Sequence, residues 1–280
     1  MLVQPPWWLA LALALSVSGL GWSLGWLDLS GALSAVAIGF IIIGLGGGKF
    51  AVPLLAFFIS SSALSALNQK LSRARNRSAS SELPGQQRAT RTSAQVLANG
   101  AAAAALVIAF WYFSRHWPWY KSRYLLMLYL AAIASVNADT WSTEIGMLSR
   151  RSPRLLTSWQ IVPAGSSGAV TLPGIIGGLA GAFVAPLSAL ALWRHNAAEL
   201  LAVAWAGFLA ALADSILGAG VQAQYRDARS GALVDMPESP KEPPSRGTKW
   251  ITNDMVNLLS SGIGVLGGWL LLRYAVYGPS

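Results

Sequence analysis

Long apolar runs alternate with short polar connections along the whole chain. Runs of roughly 20 residues with few charged side chains recur, and a helix needs about 20 such residues to cross roughly 30 Å of hydrocarbon. The pattern predicts about eight membrane-spanning helices, with seven possible. The predicted spans are 7–26, 31–48, 50–67, 94–114, 124–147, 166–192, 197–221 and 254–276. The segment GLGGGKFAVP between the second and third spans is typical of a tight turn or a re-entrant hairpin.

Composition supports the same class of protein. The chain has 280 residues, of which 54% are hydrophobic and 11% charged, and this is too apolar for a soluble globular domain. The predicted fold class is therefore all-α: a polytopic transmembrane helical bundle. We interpret residues 1–280 as a single integral membrane domain with a basic loop at 68–93 and a Pro-rich loop at 222–252. The N-terminal apolar run lacks a basic n-region and is too long for a secretory signal, so it is interpreted as a retained helix.

The distribution of positive charge predicts the orientation. Lys and Arg total 20 against 11 Asp and Glu, and 14 of the 20 lie in segments 70–91, 150–154 and 226–249. These segments follow the third, fifth and seventh spans and should face the cytoplasm. A bacterial plasma membrane or a photosynthetic membrane would suit the same spans. Basic loops beside a membrane also account for the pI near 10.3, so no nucleic-acid partner is predicted.

Candidate chemistry rests on a few carboxylates. Cysteine is absent and only two histidines occur, both in short connections on the predicted outer side, which excludes thiol chemistry. Asp139, Glu144, Asp214 and Asp254 lie in membrane helices or at their edges, where an ionised carboxylate at the bilayer centre costs about 2.5–3.5 kcal/mol. The topology places all four towards the cytoplasm, which predicts one cytoplasmic-facing pocket. The structural alternative is that each carboxylate pairs with an arginine or caps a helix.

Polar neighbours extend this candidate pocket. Asn99 lies near the cytoplasmic start of the fourth span, and Asn253, Asn257, Ser260 and Ser261 form a polar sector at the start of the eighth. Asp139 and Glu144 are five residues apart, about 140° around a helix, so they do not share a helix face. They would then serve different parts of one site, unless the helix unwinds near Gly146.

Phosphate chemistry suits this composition. Mg²⁺ prefers oxygen ligands, usually one or two carboxylates together with waters and substrate phosphates. The segment VPAGSSGAVT at 162–171 precedes a helix and could form an anion nest through Ser166, Ser167 and Gly168, with Arg150, Arg151 and Arg154 just upstream. A flexible turn into a packed glycine-rich helix is an equal alternative. The small residues of GIIGGLAGAF at 174–183 are interpreted mainly as a helix-packing surface.

Five segments, in this order, carry a family resemblance: SAQVLANG, NADTWSTEIG, VPAGSSGAVT, ADSILGAGVQ and TNDMVNLLSSGIG. They resemble the signature segments of an integral membrane family that includes the phytyl-phosphate kinases of tocopherol and phylloquinone prenyl salvage. The resemblance covers roughly residues 30–275, and ADTWSTEIG is its most specific part. Ala169 and Thr171 depart from the expected Gly and Ser. The resemblance implies a kinase that converts phytyl or geranylgeranyl monophosphate to the diphosphate with a nucleoside triphosphate, CTP being the expected donor.

The positions that match the family's polar motifs are Asp139, Glu144, Asp214, Asn253, Asp254 and Asn257. On chemical grounds we assign Asp139, Asp214 and Asp254 to Mg²⁺, with Glu144 as a further ligand or an anchor. Nucleotide and phosphate oxygens are assigned to the amides, the loop and the arginines: Asn99, Asn253, Asn257, Ser166, Ser167, Gly168, Arg150, Arg151 and Arg154. Two alternative functions stay open, a cytidylyltransferase that forms a CDP-lipid and an ion-coupled transporter.

Overall fold

The computed structural model describes residues 4–76, 90–116, 119–190, 192, 196–227, 233–237, 239 and 242–278. Eight α-helices lie in this part of the chain: α1 Trp7–Ser23, α2 Leu29–Gly46, α3 Gly48–Asn76, α4 Ser93–Phe113, α5 Trp119–Met147, α6 Leu172–Ala189, α7 Ala197–Gly220 and α8 Asn253–Leu271, which continues as a π-helical turn, Leu272–Val276. Two short antiparallel ladders pair β1 Arg154–Leu155 with β2 Ala169–Val170, and β3 Tyr225–Arg226 with β4 Leu233–Val234. The predicted all-α bundle is confirmed.

Each predicted span coincides with a helix, although the fifth helix begins five residues earlier than predicted, at Trp119, and two other boundaries move further. The sixth helix begins at Leu172, because Ala169 and Val170 pair with β1 and the Thr171 hydroxyl caps the helix by accepting from Gly174 N at 3.1 Å. The third helix continues to Asn76, which shortens the predicted basic loop at 68–93. Residues 77–89 of that loop lie outside the described residues. Between α2 and α3 stands a tight turn at Gly47, with φ of +73°.

Six helices are long and apolar enough to cross a membrane within the described chain: α2, α3, α4, α6, α7 and α8. The first helix is a shorter apolar helix of 17 residues. The fifth has 29 residues but carries more polar side chains. It can carry them because it lies at the centre of the bundle, in contact with α3, α4, α6, α7 and α8, and residues 126–138 are all buried.

Polar groups on α5 are satisfied by neighbouring helices rather than by lipid. Asn137 is fully buried, accepts a hydrogen bond from Ser61 Oγ at 2.8 Å and donates to Gly181 O at 2.8 Å. One side chain therefore ties α3, α5 and α6 together. In hydrocarbon an unpaired amide would be costly, so this bond network explains how an asparagine sits at the bundle centre.

The glycines of α6 provide its close contact with α5. A Cβ atom added to Gly174 would lie 2.7 Å from Ser142 O, and one added to Gly181 would lie 2.8 Å from Trp141 Cβ. Gly177 and Gly178 also face α5 at short range. The interpretation of 174–183 as a helix-packing surface is confirmed, because only small residues let two backbones approach this closely.

The bundle has two chemically different ends. We call the end where α1, α3, α5 and α7 finish and α2, α4, α6 and α8 begin the basic end, since the predicted cytoplasmic loops leave the helices there. At the opposite end, Arg123 donates from Nε and Nη2 to Glu199 at 3.0 and 2.6 Å, and Tyr277 Oη donates to the same carboxylate. This cluster joins the starts of α5 and α7 to the chain that follows α8.

Replacing Arg123 by methionine is expected to lower the free energy of unfolding by about 3 kcal/mol, because the Glu199 side chain, only 2% exposed, would lose its cationic partner. Denaturation in mixed detergent micelles would measure the change. Arg115→Met is the matched control: Arg115 is exposed and stacks on Trp111 with its Cζ 4.2 Å from the ring centre, so its loss should cost about 1 kcal/mol or less. Equal losses would contradict a structural role for the Arg123–Glu199 pair.

Candidate functional site

Two carboxylates from different helices lie within electrostatic range of each other: Asp139 on α5 and Asp214 on α7. We call them the carboxylate pair. Their helices pack closely at a point further from the basic end, where a Cβ atom on Gly207 would lie 2.6 Å from Ala134 Cβ. Asp139 and Asp214 follow that contact by five and seven residues, so both lie between one and two helical turns nearer the basic end.

The eighth helix closes a third side of this site. Gly264 packs on Ser135 of α5, where an added Cβ atom would lie 2.9 Å from Ser135 Cβ. Ser260, one turn nearer the basic end, donates its hydroxyl to Asp214 Oδ2 at 3.0 Å and also lies 3.0 Å from Asn257 O. Because Ser260 is buried, this bond fixes the orientation of the Asp214 carboxylate.

The predicted phosphate loop lies against α7 just beyond Asp214. Gly168 has φ of +72°, and a Cβ atom there would lie 2.2 Å from Ala219 N and 2.4 Å from Ser215 O. Ser167 Oγ lies beside Gly218, where an added Cβ atom would meet it at 2.8 Å. Gly218 follows Asp214 by four residues and so shares its helix face. The loop therefore lies one helical turn from Asp214.

The other predicted phosphate contacts lie further out in the same connection. Ser166 donates its hydroxyl to Pro163 O at 2.8 Å. Arg150, Arg151 and Arg154 are all exposed. Arg154 belongs to β1, where it pairs with Val170 and donates to Trp159 O at 2.8 Å. Of the three arginines, Arg154 is thus the one that the strand ladder holds beside the Gly168 loop.

The predicted three-carboxylate metal set is not assembled. Asn253 and Asp254 lie in the first turn of α8, where Thr252 Oγ1 accepts from Met255 N at 3.3 Å. Asp254 precedes Ser260 by six residues, about 9 Å along the helix axis. Within the described chain, no three Asp, Glu, His or Cys residues are grouped so that they could hold a metal ion. Asp139 and Asp214 are left as the candidate ligands, and Asn99 lies in the second turn of α4, a helix that contacts α5 and α8.

Glu144 is held by a different helix from those around the carboxylate pair. Ser65 donates to its Oε1, and Asn68 Nδ2 donates to its Oε2 at 2.8 Å; both donors lie on α3. The fifth helix remains helical through Gly146 to Met147, so the alternative that it unwinds there is not observed. Because Asp139 and Glu144 lie about 140° apart around α5, Glu144 contacts α3 whereas Asp139 lies near Asp214 of α7. The sequence carried a signal for those partners, because Ser61, Ser65 and Asn68 form one polar stripe in an apolar span.

The α7–α8 connection covers the end of α7 with an ordered network. Gln222 and Gln224 are buried, and Gln222 Nε2 donates to Asp235 Oδ1 at 3.0 Å. Burial raises the pKa of Asp235, while hydrogen bonds from the two glutamines lower it. Arg246 donates to Ala219 O, the last turn of α7. The predicted Pro-rich loop at 222–252 therefore packs, in its described parts, on the helix that bears Asp214.

Comparison with known proteins confirms the predicted family. The family described as "Integral membrane protein DUF92" matches residues 12–265. An uncharacterised membrane protein of Methanocaldococcus jannaschii is 31% identical over 193 residues, 69% of this chain and 74% of the relative. In Arabidopsis thaliana, Protein PGR is 29% identical over 258 residues, 84% of this chain and 85% of the relative. Protein VTE6, chloroplastic, from the same plant is 26% identical over 146 residues, 52% of this chain and 38% of the relative. No solved structure matches the chain. The protein belongs to the DUF92 family of integral membrane proteins.

Proposed function

We propose that the protein is a membrane prenyl-phosphate kinase, which transfers the γ-phosphoryl group of a nucleoside triphosphate to phytyl or geranylgeranyl monophosphate. CTP is the first candidate donor. The observation that carries the proposal is the position of Asp214, one member of the carboxylate pair, one helical turn from the Ser167–Gly168 loop. The motifs' resemblance to the phytyl-phosphate kinases and the match to the chloroplastic relative VTE6 support it.

The carboxylate pair fits a magnesium ion. Two carboxylates within electrostatic range of each other repel when both are charged, and buried charge is costly in a membrane protein. A divalent cation would remove that cost. Mg²⁺ usually takes one or two carboxylates and completes its shell with waters and substrate phosphates. Asp139 and Asp214 would hold the ion, which when bound neutralises charge on the donor phosphates. Ser260 would keep the Asp214 carboxylate oriented through its hydrogen bond.

The residues of the site suit a transfer between two phosphates. An oxygen of the prenyl monophosphate attacks the γ-phosphorus, a new P–O bond forms, and the bond from the γ-phosphorus to the β–γ bridging oxygen breaks, so the nucleoside diphosphate leaves. A phosphate monoester has its second pKa near 6, so at neutral pH no side chain has to remove a proton from it. This explains how the reaction proceeds in a chain without cysteine and with only two histidines. The Ser167 hydroxyl, the loop N–H groups and Arg154 would hold the donor phosphates.

The bundle also suits an amphipathic substrate with an apolar prenyl chain and a charged phosphate. The carboxylate pair lies towards the basic end, which we propose faces the cytoplasm, where nucleotides are dissolved. The prenyl chain would stay in the bilayer beside the helices, and its phosphate would reach the site from the headgroup level. Six apolar spans provide the membrane anchoring that such a substrate requires.

The test is transfer of label from γ-³²P-CTP, and separately from γ-³²P-ATP, to phytyl phosphate by the purified protein in detergent with Mg²⁺. We expect labelled phytyl diphosphate that disappears when the metal is chelated. Release of pyrophosphate from CTP without labelled product would contradict the kinase and favour the cytidylyltransferase. Inactivity in both assays, combined with cation-dependent uptake in proteoliposomes, would favour the transporter.

A further inference from the structure

A polar cavity lies at the basic end, on the side of the bundle formed by α1 and α3. Its volume is about 70 Å³, and its lining residues are Leu24, Gly25, Trp26, Ser62, Ser65, Ala66, Gln69 and Arg91. We call it the Arg91 cavity. Leu24, Gly25 and Ala66 at its rim are exposed, whereas Ser62 at its floor is buried. The proposed kinase site, between α5, α7 and α8, does not use any of these residues.

The Arg91 backbone is fixed on the α1–α2 connection. Its N–H donates to Trp26 O at 3.0 Å, and its carbonyl accepts from Asp28 N at 3.2 Å. The fit is close, because a Cβ atom on Gly31 would lie only 2.1 Å from Arg91 O. A residue that precedes α4 is thereby held against the end of α1, and its side chain lines the cavity rather than extending into solvent.

The guanidinium group of Arg91 is held in place by neighbours that leave most of its donors available. Nη1 donates to Ser62 Oγ at 3.2 Å, and Cζ lies 5.6 and 5.9 Å from the ring centres of Phe57 and Phe58. In the part of the chain that the structure describes, this is the one hydrogen bond that the guanidinium donates. A guanidinium has five N–H groups, so several of them have no acceptor among the described residues.

Other lining groups are also donors. Ser62 accepts from Arg91 and keeps its own hydroxyl hydrogen, and Gln69 contributes an amide that can donate twice. Glu144 lies within electrostatic range of Arg91, but its two oxygens accept from Ser65 and Asn68, and among the described residues it forms no direct ion pair with Arg91. The cavity thus presents a cation and hydrogen-bond donors, which suit an anion with several acceptor oxygens.

Burial strengthens the case for an anionic ligand. It lowers the pKa of the Arg91 guanidinium, and the nearby Glu144 carboxylate raises it. A cation that has lost part of its hydration gains more from a hydrogen-bonded anion than an exposed one does. The cavity volume of about 70 Å³ is several times the roughly 10–15 Å³ that a cavity needs to hold one water, so the space has room for a phosphate group.

We propose that the Arg91 cavity is a phosphate-binding site. Its rim lies where α1 ends at the basic end of the bundle, where lipid headgroups would lie if the apolar helices cross the membrane. The phosphate monoester of a membrane lipid is therefore one source and free phosphate is the other. The guanidinium and the Ser62 hydroxyl bind the phosphate oxygens, and Gln69 donates from the opposite wall. This site is independent of the proposed kinase activity and would persist if the donor or the reaction proved different.

The experiment compares two phosphate sources on the full chain. In nanodiscs of phosphatidylcholine with a minor fraction of dodecyl phosphate, native mass spectrometry counts the dodecyl phosphate molecules that each chain retains. In detergent, equilibrium dialysis measures binding of ³²P-orthophosphate. The variants are Arg91→Gln, which removes the cation, and Ala66→Phe, which fills the cavity and keeps Arg91. Ala63→Phe is the matched control, because Ala63 is exposed on the same helix but does not line the cavity.

We expect Arg91→Gln and Ala66→Phe to retain one dodecyl phosphate fewer per chain than the wild type and Ala63→Phe, because the Arg91 cavity should bind at least tenfold more weakly in those two variants. A molecule held at the proposed kinase site would be common to all four proteins and would not change this difference. The same pattern with orthophosphate alone would identify free phosphate as the source. Size-exclusion chromatography checks folding, and if Arg91→Gln is misfolded, Ala66→Phe decides. Absence of binding by the wild type in both assays, or equal binding by Ala66→Phe and Ala63→Phe, would overturn the proposal.

Discussion

Asp214→Asn is expected to reduce phosphoryl transfer to phytyl phosphate by about two to three orders of magnitude, and Asp139→Asn by a similar factor. Each substitution keeps the shape of the side chain and removes one of the two charges that would hold Mg²⁺. The same substitution should leave the free energy of unfolding unchanged or higher, because it also removes the repulsion between two carboxylates within electrostatic range of each other. Activity lost without stability lost would identify a functional pair rather than a structural one. The measurements are label transfer at several Mg²⁺ concentrations and denaturation of the same preparations.

Two further aspartates provide the controls for this experiment. Asp227→Asn changes a half-buried carboxylate in the α7–α8 connection that has no part in the proposed site, and it should leave transfer within about twofold of the wild type. Asp254→Asn should reduce phosphoryl transfer by less than Asp214→Asn and by more than Asp227→Asn. Asp254 lies near the start of α8 and does not belong to a group of three carboxylates among the described residues. Full activity of Asp214→Asn with an unchanged requirement for Mg²⁺ would contradict the assignment of the pair.

The helices were predictable because the bilayer imposes a strong rule on sequence. A spanning helix needs an apolar run of fixed length. The predicted start of α6 is six residues too early, where the small residues of 166–171 precede the helix, and the predicted end of α3 is nine residues too early, where the helix continues into the basic segment. The polar residues of α5 could also be recognised as candidates from the sequence, because an asparagine or carboxylate is unusual in an otherwise apolar span. The sequence does not show the order in which the helices pack around the bundle.

That order decides the partners of each polar side chain. The spacing of Asp139 and Glu144 indicated different faces of α5, but only the packing shows that one face meets α7 and α8 and the other meets α3. Arg91 shows the same limit more strongly. In the sequence it is one more basic residue of a loop. Its cavity depends on contacts with Trp26, which lies 65 positions earlier in the chain, and with Ser62, which lies 29 positions earlier.

The sequence supports two interpretations of the loop at 162–171 equally: a phosphate-binding nest, and a turn into a closely packed helix. The structure is compatible with both. The glycine at 168 is required for close packing on α7, and the same packing places Ser167 one turn from Asp214. A packing role and a phosphate-binding role therefore do not exclude each other, since a loop that binds an anion through its backbone has to be held rigidly. The contribution of that rigid contact can be measured separately.

Gly168→Ala is expected to lower phosphoryl transfer at least tenfold, with most of the effect in KM for the nucleotide, because a misplaced binding group can cost up to a hundredfold. The new Cβ atom would lie 2.2 Å from Ala219 N and 2.4 Å from Ser215 O, and neither backbone atom can move without unwinding α7. The loop would have to leave the helix, which would carry Ser167 away from Asp214. Steady-state kinetics with varied CTP would show the change.

Gly165→Ala is the matched control for this contact. Gly165 also has a positive φ, +88°, but a Cβ atom there would meet nothing within 4 Å. Both alanine variants bear the backbone strain of the left-handed region, about 1–2 kcal/mol, and only Gly168→Ala adds the collision with α7. Equal kinetic effects of the two substitutions would show that loop strain, rather than contact with α7, controls nucleotide binding. If Gly168→Ala had wild-type kinetics, the loop would have no part in holding the donor phosphates, because its contact with α7 is what brings it to Asp214.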